Sequence, residues 1–319
     1  MPTLSLAVCV FRERDLLERL LHESSGLYDD LVVVHDGPEV SNGATSPPVE
    51  APAKEMALDY SALAPDASLP PFYKTPPLPP RPGSIHELVM QHDGRYFEGP
   101  RCYQQEPHWP FTWWQAKHDW ILRLDTDEFP SAEMKEWLRR FREAPEPEGS
   151  ISGYTCLWPL WNGRKFITKR WPVGRIFLFQ KKRVHFFGMA EQVPIPDTLY
   201  EPLNLMLHHR PKRKSYGVRN VLFRRQAYRW RRVIAQSLMR KPTDLPCWRR
   251  TSDEWPEFWC NLQRHPLRHS FVSLTRFPVY QFKGMVAVGQ VPLISECLNP
   301  ALHHFMLGLR VLVEKRNWA

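Results

Sequence analysis

The sequence predicts a mixed α/β fold built on a parallel sheet, and two observations carry that prediction. First, residues 4–10 and 31–34 are short apolar runs, and residues 13–23 between them place leucines at helical spacing. A strand, a helix and a second, uninterrupted apolar strand are typical of a parallel βαβ unit buried on both faces. Second, another apolar run at residues 120–124 ends directly in a cluster of acids. Parallel sheets bind ligands at the carboxyl ends of their strands, so the acids are expected at a binding edge.

The composition is that of a globular protein with an excess of positive charge. The chain has 319 residues, and 43 Lys and Arg against 34 Asp and Glu give a net charge of +9. We therefore expect anionic partners, such as nucleotide diphosphates, acidic lipids or nucleic acid. No window reaches the roughly 18 consecutive apolar residues that span a bilayer, and no basic segment precedes the first apolar run. These features predict a cytoplasmic protein, either free or bound peripherally at the inner face of the membrane.

Between the second and third predicted strands lies a Pro-rich stretch, residues 41–83, which we interpret as an insertion or a mobile loop. It contains four Pro-Pro pairs, and proline sustains neither a helix nor a central strand. After the acidic cluster, Ser131 is placed to cap a helix over residues 132–142. Residues 151–157 and 175–180 predict two further strands.

The chain changes character near residue 210, which predicts an α/β domain over residues 1–210 and a basic helical extension over residues 211–319. No acid occurs from residue 202 to residue 243, whereas twelve Lys and Arg accumulate there. Much of the range 216–239 is expected to form one basic helix. A solvated helix face is the alternative, but this many cations without an acid exceed what solubility requires.

A last amphipathic helix is predicted near the end of the chain, with Asn299 as its cap and Pro300 in its first turn. The apolar face of this helix is predicted to consist of Leu302, Phe305, Met306, Leu309 and Val313. Together with the basic stretch, such a helix favours a lipid-linked or phosphorylated acceptor at an anionic membrane surface. Nucleic acid is the less favoured partner, because no established nucleic-acid-binding motif occurs.

Asp125 and Asp127 are the candidate metal ligands. Two carboxylates one residue apart, just past the end of a buried strand, can both reach one small cation because the chain turns there. Mg²⁺ and Mn²⁺ prefer oxygen ligands and accept phosphate oxygens to complete an octahedron. The alternative is that both acids cap the next helix and favour its dipole.

Three segments together resemble the family 2 glycosyltransferases and their relatives: residues 6–11 before an acid-rich helix start, residues 31–37, and residues 119–129. The resemblance implies a GT-A fold, which is a Rossmann-like mixed sheet flanked by helices, and a hexosyl transfer from a nucleotide-diphosphate sugar. In this family the acid after the second strand binds the nucleotide base, while the DxD pair binds the metal and the diphosphate. The contacts to donor and cofactor implied here are those of Phe11, Glu13, Asp36, Asp125 and Asp127.

Further along, residues 174–181, 189–192 and 207–215 resemble the motif order of lipopolysaccharide-core-type transferases in this group. That likeness implies that Glu191 is the catalytic general base and that His209, or else His208, is a third metal ligand. The implied acceptor is a glycan or a lipid-linked sugar in surface-glycan assembly. The chain also departs from the family pattern, with Arg12 or Glu13 at the usual Asn position, His35 before Asp36, and Ala190 before Glu191.

The chemistry of such a transfer explains the residue types. A divalent ion stabilises the charge that develops on the leaving diphosphate. A carboxylate opposite the leaving group takes the proton of the acceptor hydroxyl, and a single displacement inverts the anomeric configuration. Asp197 and Glu201 are the alternative bases if Glu191 only ends a strand.

Two other functions remain open. A phosphotransferase of the haloacid-dehalogenase type also ends a strand in DxD, but usually near its N-terminus and with Thr or Val where this chain has Phe129. Here a βαβ unit precedes the motif, which disfavours that reading. The second alternative is a catalytically inactive GT-A-like protein that binds nucleic acid or an anionic surface.

Overall fold

The computed structural model describes residues 1–39, 54–147, 149–159, 161, 164–166, 174–211, 218–287 and 294–318. The strands in these ranges are β1 (Leu4–Val10), β2 (Asp30–His35), β3 (Arg95–Glu98), β4 (Trp120–Arg123), β5 (Glu128–Pro130), β6 (Ile151–Leu157), β7 (Arg175–Gln180), β8 (Val184–Phe187), β9 (Ile195–Pro196), β10 (Leu199–His209) and β11 (Cys247–Trp248). The α-helices are α1 (Arg14–Glu23), α2 (Ile85–Gln91), α3 (Trp109–Gln115), α4 (Ala132–Glu143), α5 (Val218–Phe223), α6 (Arg225–Leu238), α7 (Glu257–Arg264), α8 (Pro266–Ala287) and α9 (Ile294–Trp318). Short 3-10 helices lie at Lys54–Met56, Tyr60–Ala62, Glu106–His108, Lys181–Arg183 and Pro242–Asp244. Within the described ranges, no helix is both long and apolar enough to cross a bilayer.

An eight-stranded sheet with the order β3-β2-β1-β4-β7-β6-β10-β5 forms the centre of the molecule. Strands β3, β2, β1 and β4 run parallel to one another, and β10 runs parallel to β6. Strands β7 and β5 are antiparallel to their neighbours. Helices flank this sheet, so the architecture is a mixed α/β fold consistent with a Rossmann-like fold, and the predicted βαβ unit is confirmed in β1, α1 and β2.

Both faces of the first strands are buried, as the uninterrupted apolar runs predicted. Leu6 and Val8 face α1, where Leu17 packs against them, whereas Ala7 faces α3 and its Phe111. Because successive strand residues point to opposite faces, a strand covered on both sides must be apolar throughout. The predicted strands 151–157 and 175–180 are also confirmed, and Ser131 caps α4 by accepting a hydrogen bond from the Met134 amide.

The later part of the Pro-rich stretch, residues 54–83, packs against the domain. Residues 41–53 lie outside the described part of the chain. Tyr60 and Tyr73 are buried beside α3, and the Tyr73 ring stacks on the Phe111 ring with 3.6 Å between centroids. Short 3-10 turns replace regular helix here, and apolar burial holds a segment in place even where proline prevents a backbone ladder.

This segment also reaches far along the chain. The Leu58 carbonyl accepts a hydrogen bond from the Cys247 amide at 2.9 Å. The Asp59 carboxylate accepts hydrogen bonds from the amides of Arg249 and Arg250 at 3.1 and 3.0 Å. These hydrogen bonds therefore link residues 58–59 to residues 247–250, which are distant in sequence. The contact lies beside a small three-stranded sheet, β11-β8-β9.

The basic stretch forms two helices, so the prediction of a single helix over much of residues 216–239 is wrong. The range 212–217 lies outside the described residues. Arg224, between α5 and α6, has extended backbone angles, with φ −70° and ψ 132°. This break lets both helices pack against α9, and α6 then buries Ile234 and Leu238.

The last helix begins earlier than predicted and buries a different face. Helix α9 starts at Ile294, so Pro300 lies inside it instead of in its first turn. The predicted apolar face of Leu302, Phe305, Met306 and Leu309 is only half-buried, and Val313 is exposed. The buried positions of α9 instead include Ala301, Leu307, Gly308 and Val311, and Gly308 lies directly against Ser270 of α8.

The C-terminal helices share a core with the segment that follows β8. Phe187, Met189 and Ala190 are buried in one cluster with Ile234 of α6 and Leu307 of α9. Residue 210, the predicted domain boundary, directly follows β10. The helical extension thus packs on the α/β part of the chain through the residues that precede Glu191.

Replacing Tyr73 tests whether residues 54–83 contribute to stability. We expect Tyr73→Ala to lower the free energy of unfolding by about 3–5 kcal/mol, the usual cost of removing a buried aromatic ring. Leu78→Ala is the control, because Leu78 lies in the same stretch but is 69% exposed. Urea unfolding followed by tryptophan fluorescence measures both. Equal stability of the two variants would contradict the packing described here.

Candidate active site

The predicted site residues meet at one edge of the sheet because three neighbouring strands are parallel. Phe11 follows β1, Asp36 follows β2, and Asp125 follows β4 after one intervening residue. Strands β2, β1 and β4 are adjacent and parallel, so their carboxyl ends lie side by side. This edge is where open α/β sheets bind ligands.

The turn that carries the DxD pair is fixed by charged contacts. The Asp125 amide donates to the Glu128 carboxylate at 2.9 Å, and the Glu128 amide donates to the Asp125 carbonyl at 2.9 Å. Arg175, at the start of β7, lies between both side chains, with 2.9 Å from Nη2 to Asp125 Oδ2 and 2.9 Å from Nε to Glu128 Oε1. The turn therefore closes on itself and is clamped to β7.

The pKa values of the two acids in this turn, Asp125 and Glu128, are shifted in opposite directions. Glu128 is fully buried, and this burial raises the pKa of its carboxyl despite the attraction of Arg175. Burial also opposes ionisation of Asp125, but the positive charges of Arg175 and Arg123 outweigh it and lower the pKa of that carboxyl. Asp125 is thus the stronger acid of the two.

Asp127 faces His209 across the edge. His209 Nε2 lies 3.3 Å from Asp127 Oδ2, and the imidazole stacks on the Trp158 ring with 4.3 Å between centroids. His208 instead contacts Arg210 and the Phe166 ring. Successive residues of β10 point to opposite faces, so His209 and not His208 adjoins the DxD pair. Burial lowers the pKa of His209, but the hydrogen bond and charge of Asp127 outweigh it, and the net shift is upward.

Glu191 is joined to the DxD turn through residues 105 and 106. The Glu191 amide donates to Glu106 Oε1 at 3.1 Å, and Gln105 Nε2 donates to Asp125 Oδ2 at 3.2 Å. On its other side, Glu191 Oε2 lies 3.0 Å from His303 Nε2 of α9. The backbone of Glu191 is in the left-handed region with φ 65°. Such a conformation persists only where surrounding contacts hold it, and it recurs at functional sites.

The pKa values of Glu106 and Glu191 are shifted in opposite directions. Burial raises the pKa of Glu106 to about 7, and the negative charges of Asp125 and Glu191 add to that effect. Desolvation by neighbouring groups opposes ionisation of Glu191, whose side chain is still 31% exposed, but the charge and hydrogen bond of His303 outweigh it and lower the pKa of that carboxyl. Glu191 is therefore the stronger acid of the two, and Glu106 the weaker one.

On the donor side, Asp36 is buried and engaged by the protein itself. Its carboxylate accepts hydrogen bonds from the amides of Cys102 and Tyr103 and lies 3.1 Å from His108 Nε2. Asp36 thereby fixes the loop that leads into α3. The Phe11 ring lies beside this loop, 5.7 Å from the Tyr103 ring.

Cations and an acid frame the same corner. The Arg101 guanidinium lies 4.9 Å from the centre of the Phe11 ring, and the Arg12 guanidinium lies 4.7 Å from it. The Glu13 carboxylate accepts a hydrogen bond from the Arg12 amide at 3.0 Å, which turns the chain into α1. Aromatic and cationic groups at the ends of β1 and β2 suit a flat, anionic ligand such as a nucleotide.

One group of buried side chains could hold a metal ion. The ligand atoms of Asp36, Cys102 and His108 all lie within 4.8 Å of one another, and no other trio of His, Cys, Asp or Glu does so in the described part of the chain. A set of oxygen, sulfur and nitrogen ligands suits a transition metal such as Zn²⁺ better than Mg²⁺. Asp125 and Asp127 do not belong to this group. Their Oδ2 atoms instead lie close to Arg175 and His209, respectively.

Four residues of the site were not among the predicted ones: Gln105, Glu106, Arg175 and His303. Arg175 lies within a motif that carried the family resemblance, so a signal for it existed. Glu106 and His303 had no local signal, since they reach the site from sequence positions far from the DxD pair. Asp197, an alternative base, pairs with Arg249 at 2.6 Å and has no described contact with this cluster.

The tryptophans of α3 are core residues, whereas another tryptophan lies at the edge of the site. Trp109, Trp113 and Trp114 of α3 are buried, and Trp158 stacks on His209. Trp158 is therefore the aromatic side chain best placed to contact a ligand at the DxD pair.

Comparison with known proteins does not add a family to this geometry. No protein-family model matches the chain, and no curated protein matches it. What the site does must therefore be argued from its own residues and their surroundings.

Replacing Arg175 tests the clamp on the DxD turn. We expect Arg175→Met to lower the free energy of unfolding by about 3–5 kcal/mol, because it leaves the fully buried Glu128 without its cation. The double variant Arg175→Met with Glu128→Gln should recover part of that loss, since the fully buried residue 128 then carries no charge, while Asp125 still lacks its contact with Arg175. Urea unfolding of all three proteins measures the effect. The clamp is refuted if the single variant is as stable as the unmodified protein.

Proposed function

We propose that the chain is a metal-dependent glycosyltransferase with a GT-A fold. It would transfer a hexose from a nucleotide-diphosphate sugar to a glycan or a lipid-linked acceptor, with inversion, using Mn²⁺ or Mg²⁺. The observation that carries the proposal is the set of polar contacts that links the DxD pair to a third acid. Asp125 and Asp127 lie at the carboxyl edge of the sheet, and Gln105 and Glu106 join Asp125 to Glu191.

The DxD pair supports the donor half of the reaction. In the described part of the chain, the side-chain contacts of Asp125 and Asp127 involve Oδ2, so Oδ1 of each remains for a cation or its waters. His209 adjoins Asp127 and supplies a nitrogen ligand once it is deprotonated. A bound Mn²⁺ or Mg²⁺ would neutralise charge on the departing diphosphate. The aromatic and cationic corner around Phe11 would receive the nucleotide base.

Glu191 supports the acceptor half of the reaction. A general base must be ionised before it takes a proton, and the lowered pKa of Glu191 meets that condition near neutral pH. Its backbone amide is held by Glu106 and its carboxylate by His303, so the direction in which it faces is fixed before substrate arrives. His303 is therefore a positioning residue, and Glu106, with a pKa near 7, is the competing base.

Asp127→Asn tests the metal role. Thermal shifts would be recorded with UDP-, GDP-, dTDP- and CMP-sugars, each with and without Mn²⁺. We expect one nucleotide class to stabilise the unmodified protein only when Mn²⁺ is present, because a ligand that binds the folded state raises its melting temperature. Asp127→Asn should lose that shift while keeping its own melting temperature.

The control for this experiment is Asp119→Asn. Asp119 lies at the opposite end of β4 and pairs with the exposed Lys182. It should retain the full Mn²⁺-dependent shift. An undiminished shift in folded Asp127→Asn would rule out the metal role, and absence of any shift in the unmodified protein would favour a protein that does not use nucleotide sugars.

Glu191→Gln tests the base. The substitution keeps the shape of the side chain and removes its charge, so donor binding should change little while sugar transfer falls by about a hundredfold or more. His303→Asn should lower transfer less and shift its pH profile, because it alters the carboxylate through its neighbour. Turnover and donor affinity would be measured for each variant.

Three further variants locate the base if this assignment is wrong. Asp197→Asn and Glu201→Gln should both turn over normally, since neither has a described contact with Glu191. Glu106→Gln is the sharper comparison. If Glu106→Gln abolishes transfer while Glu191→Gln does not, then Glu106 is the base.

A further inference from the structure

Helix α8 is inverted with respect to an ordinary surface helix. Its buried residues include the polar residues Ser270, Ser273 and Gln281, and Ser270 contacts α9. Its solvent face carries large apolar side chains at helical spacing, and Phe271 and Phe282 are 64% and 54% exposed. A helix of a soluble domain normally buries its apolar stripe and exposes its polar one. The exposed stripe consists of Leu267, Phe271, Leu274, Phe282 and Val286.

The contact with α9 fixes this orientation. Ser270 Oγ donates to the carbonyl of Phe305 at 3.0 Å, and a Cβ atom added at Gly308 would collide with Ser270 Oγ and the Pro266 carbonyl. Only small residues permit so close an approach of two helices. Rotating α8 to bury Phe271 would drive a ring into this contact. The apolar stripe therefore stays outward while the α8–α9 pair is intact.

The apolar exposure is concentrated in this part of the molecule. Among the described residues, 15 of the 21 exposed large hydrophobic side chains lie in residues 218–318. Isolated exposed apolar residues need no explanation, but a contiguous apolar patch marks a surface that meets another apolar phase or partner. Helix α8 alone supplies eight of them.

The charge on and beside α8 selects the partner. No acid occurs in the sequence from residue 258 to residue 295. Arg264, Arg268, Arg276 and Lys283 are all exposed there. An apolar stripe with cations on its flanks and no acids matches the interface of an anionic bilayer, where side chains enter the acyl boundary and cations meet headgroups.

We propose that α8 is a membrane-docking helix that lies in the plane of an anionic lipid surface. Its 22 residues make it about 33 Å long, which gives a line of insertion along the surface. A second copy of the chain is the less suitable occupant. A two-fold contact sets the same face against itself, so the cations Arg268, Arg276 and Lys283 of one copy would lie near those of the other and repel them. This docking site differs from the α9 face expected from the sequence and does not depend on the proposed glycosyl transfer.

Vesicle co-sedimentation tests the proposal with the full chain. Sucrose-loaded vesicles of phosphatidylcholine alone are compared with vesicles of phosphatidylcholine and phosphatidylglycerol in equal parts. We expect binding to the anionic vesicles and weakening of that binding as salt is raised. Phe271→Ser with Phe282→Ser should weaken binding by at least about tenfold, because these two rings form the centre of the stripe.

Two controls make the result specific. Leu78→Ser with Met90→Ser removes exposed apolar groups elsewhere and should bind as the unmodified protein does. Arg268→Gln with Arg276→Gln and Lys283→Gln should lose the preference for anionic vesicles. Circular dichroism and melting temperature confirm that each variant folds, which is expected because every substituted side chain is exposed.

Three outcomes would overturn the proposal. The first is that the unmodified protein does not sediment with either vesicle. The second is that the double serine variant on α8 binds as strongly as its control. The third is that light scattering shows a dimer that dissociates in the double serine variant, without vesicle binding by either protein. A failure of sugar transfer would leave these outcomes unaffected.

Discussion

The ion pairs between Arg175 and the carboxylates of Asp125 and Glu128 hold the edge of the sheet in its shape. Glu128 is fully buried, so its charge must be met inside the protein, and Arg175 reaches it only because β7 runs antiparallel beside β4. The same turn starts β5, which pairs with β10 and so carries His209 to Asp127. Arg123 adds a second buried cation below, with its guanidinium 4.2 Å from the centre of the Trp109 ring. A cluster of opposite charges thus fixes the turn and makes Asp125 a stronger acid than Glu128.

The C-terminal helices complete this site instead of standing apart from it. Met189 and Ala190 pack in one cluster with α6 and α9, which determines where the chain places Glu191. His303 then reaches the carboxylate of Glu191 from α9, while Glu106 holds its amide. The left-handed backbone of Glu191 is tolerable because contacts from two directions define it. A displacement of α9 would therefore also change the position of Glu191, the acid proposed as the base.

Local patterns predicted the parts of the fold that local forces determine. The β1–α1–β2 unit, the Ser131 cap and strands β6 and β7 follow from runs and spacings within a few residues. The site was predicted where it depends on strand ends, as for Asp125 and Asp127, and missed where it depends on distant chain, as for Glu106 and His303. The prediction of which face of α9 is buried was wrong, because Gly308 and Ser270 permit a close contact that hydrophobicity alone does not reveal. The packing of residues 54–83 could not be predicted from their proline content, because side chains can be buried without a ladder of backbone hydrogen bonds.

The closure of residues 58–59 onto residues 247–250 has a consequence for synthesis on the ribosome. The bond from the Arg249 amide to Asp59 spans 190 residues, so one partner emerges long before the other. At a translation rate of about 5–20 residues per second, the gap lasts roughly 10 to 40 s. During that interval the Leu58 carbonyl and the Asp59 carboxylate lack their final donors, although the tyrosines beside them can already meet α3. On the nascent chain, residues 58–59 therefore stay without these partners until residues 247–250 have been made.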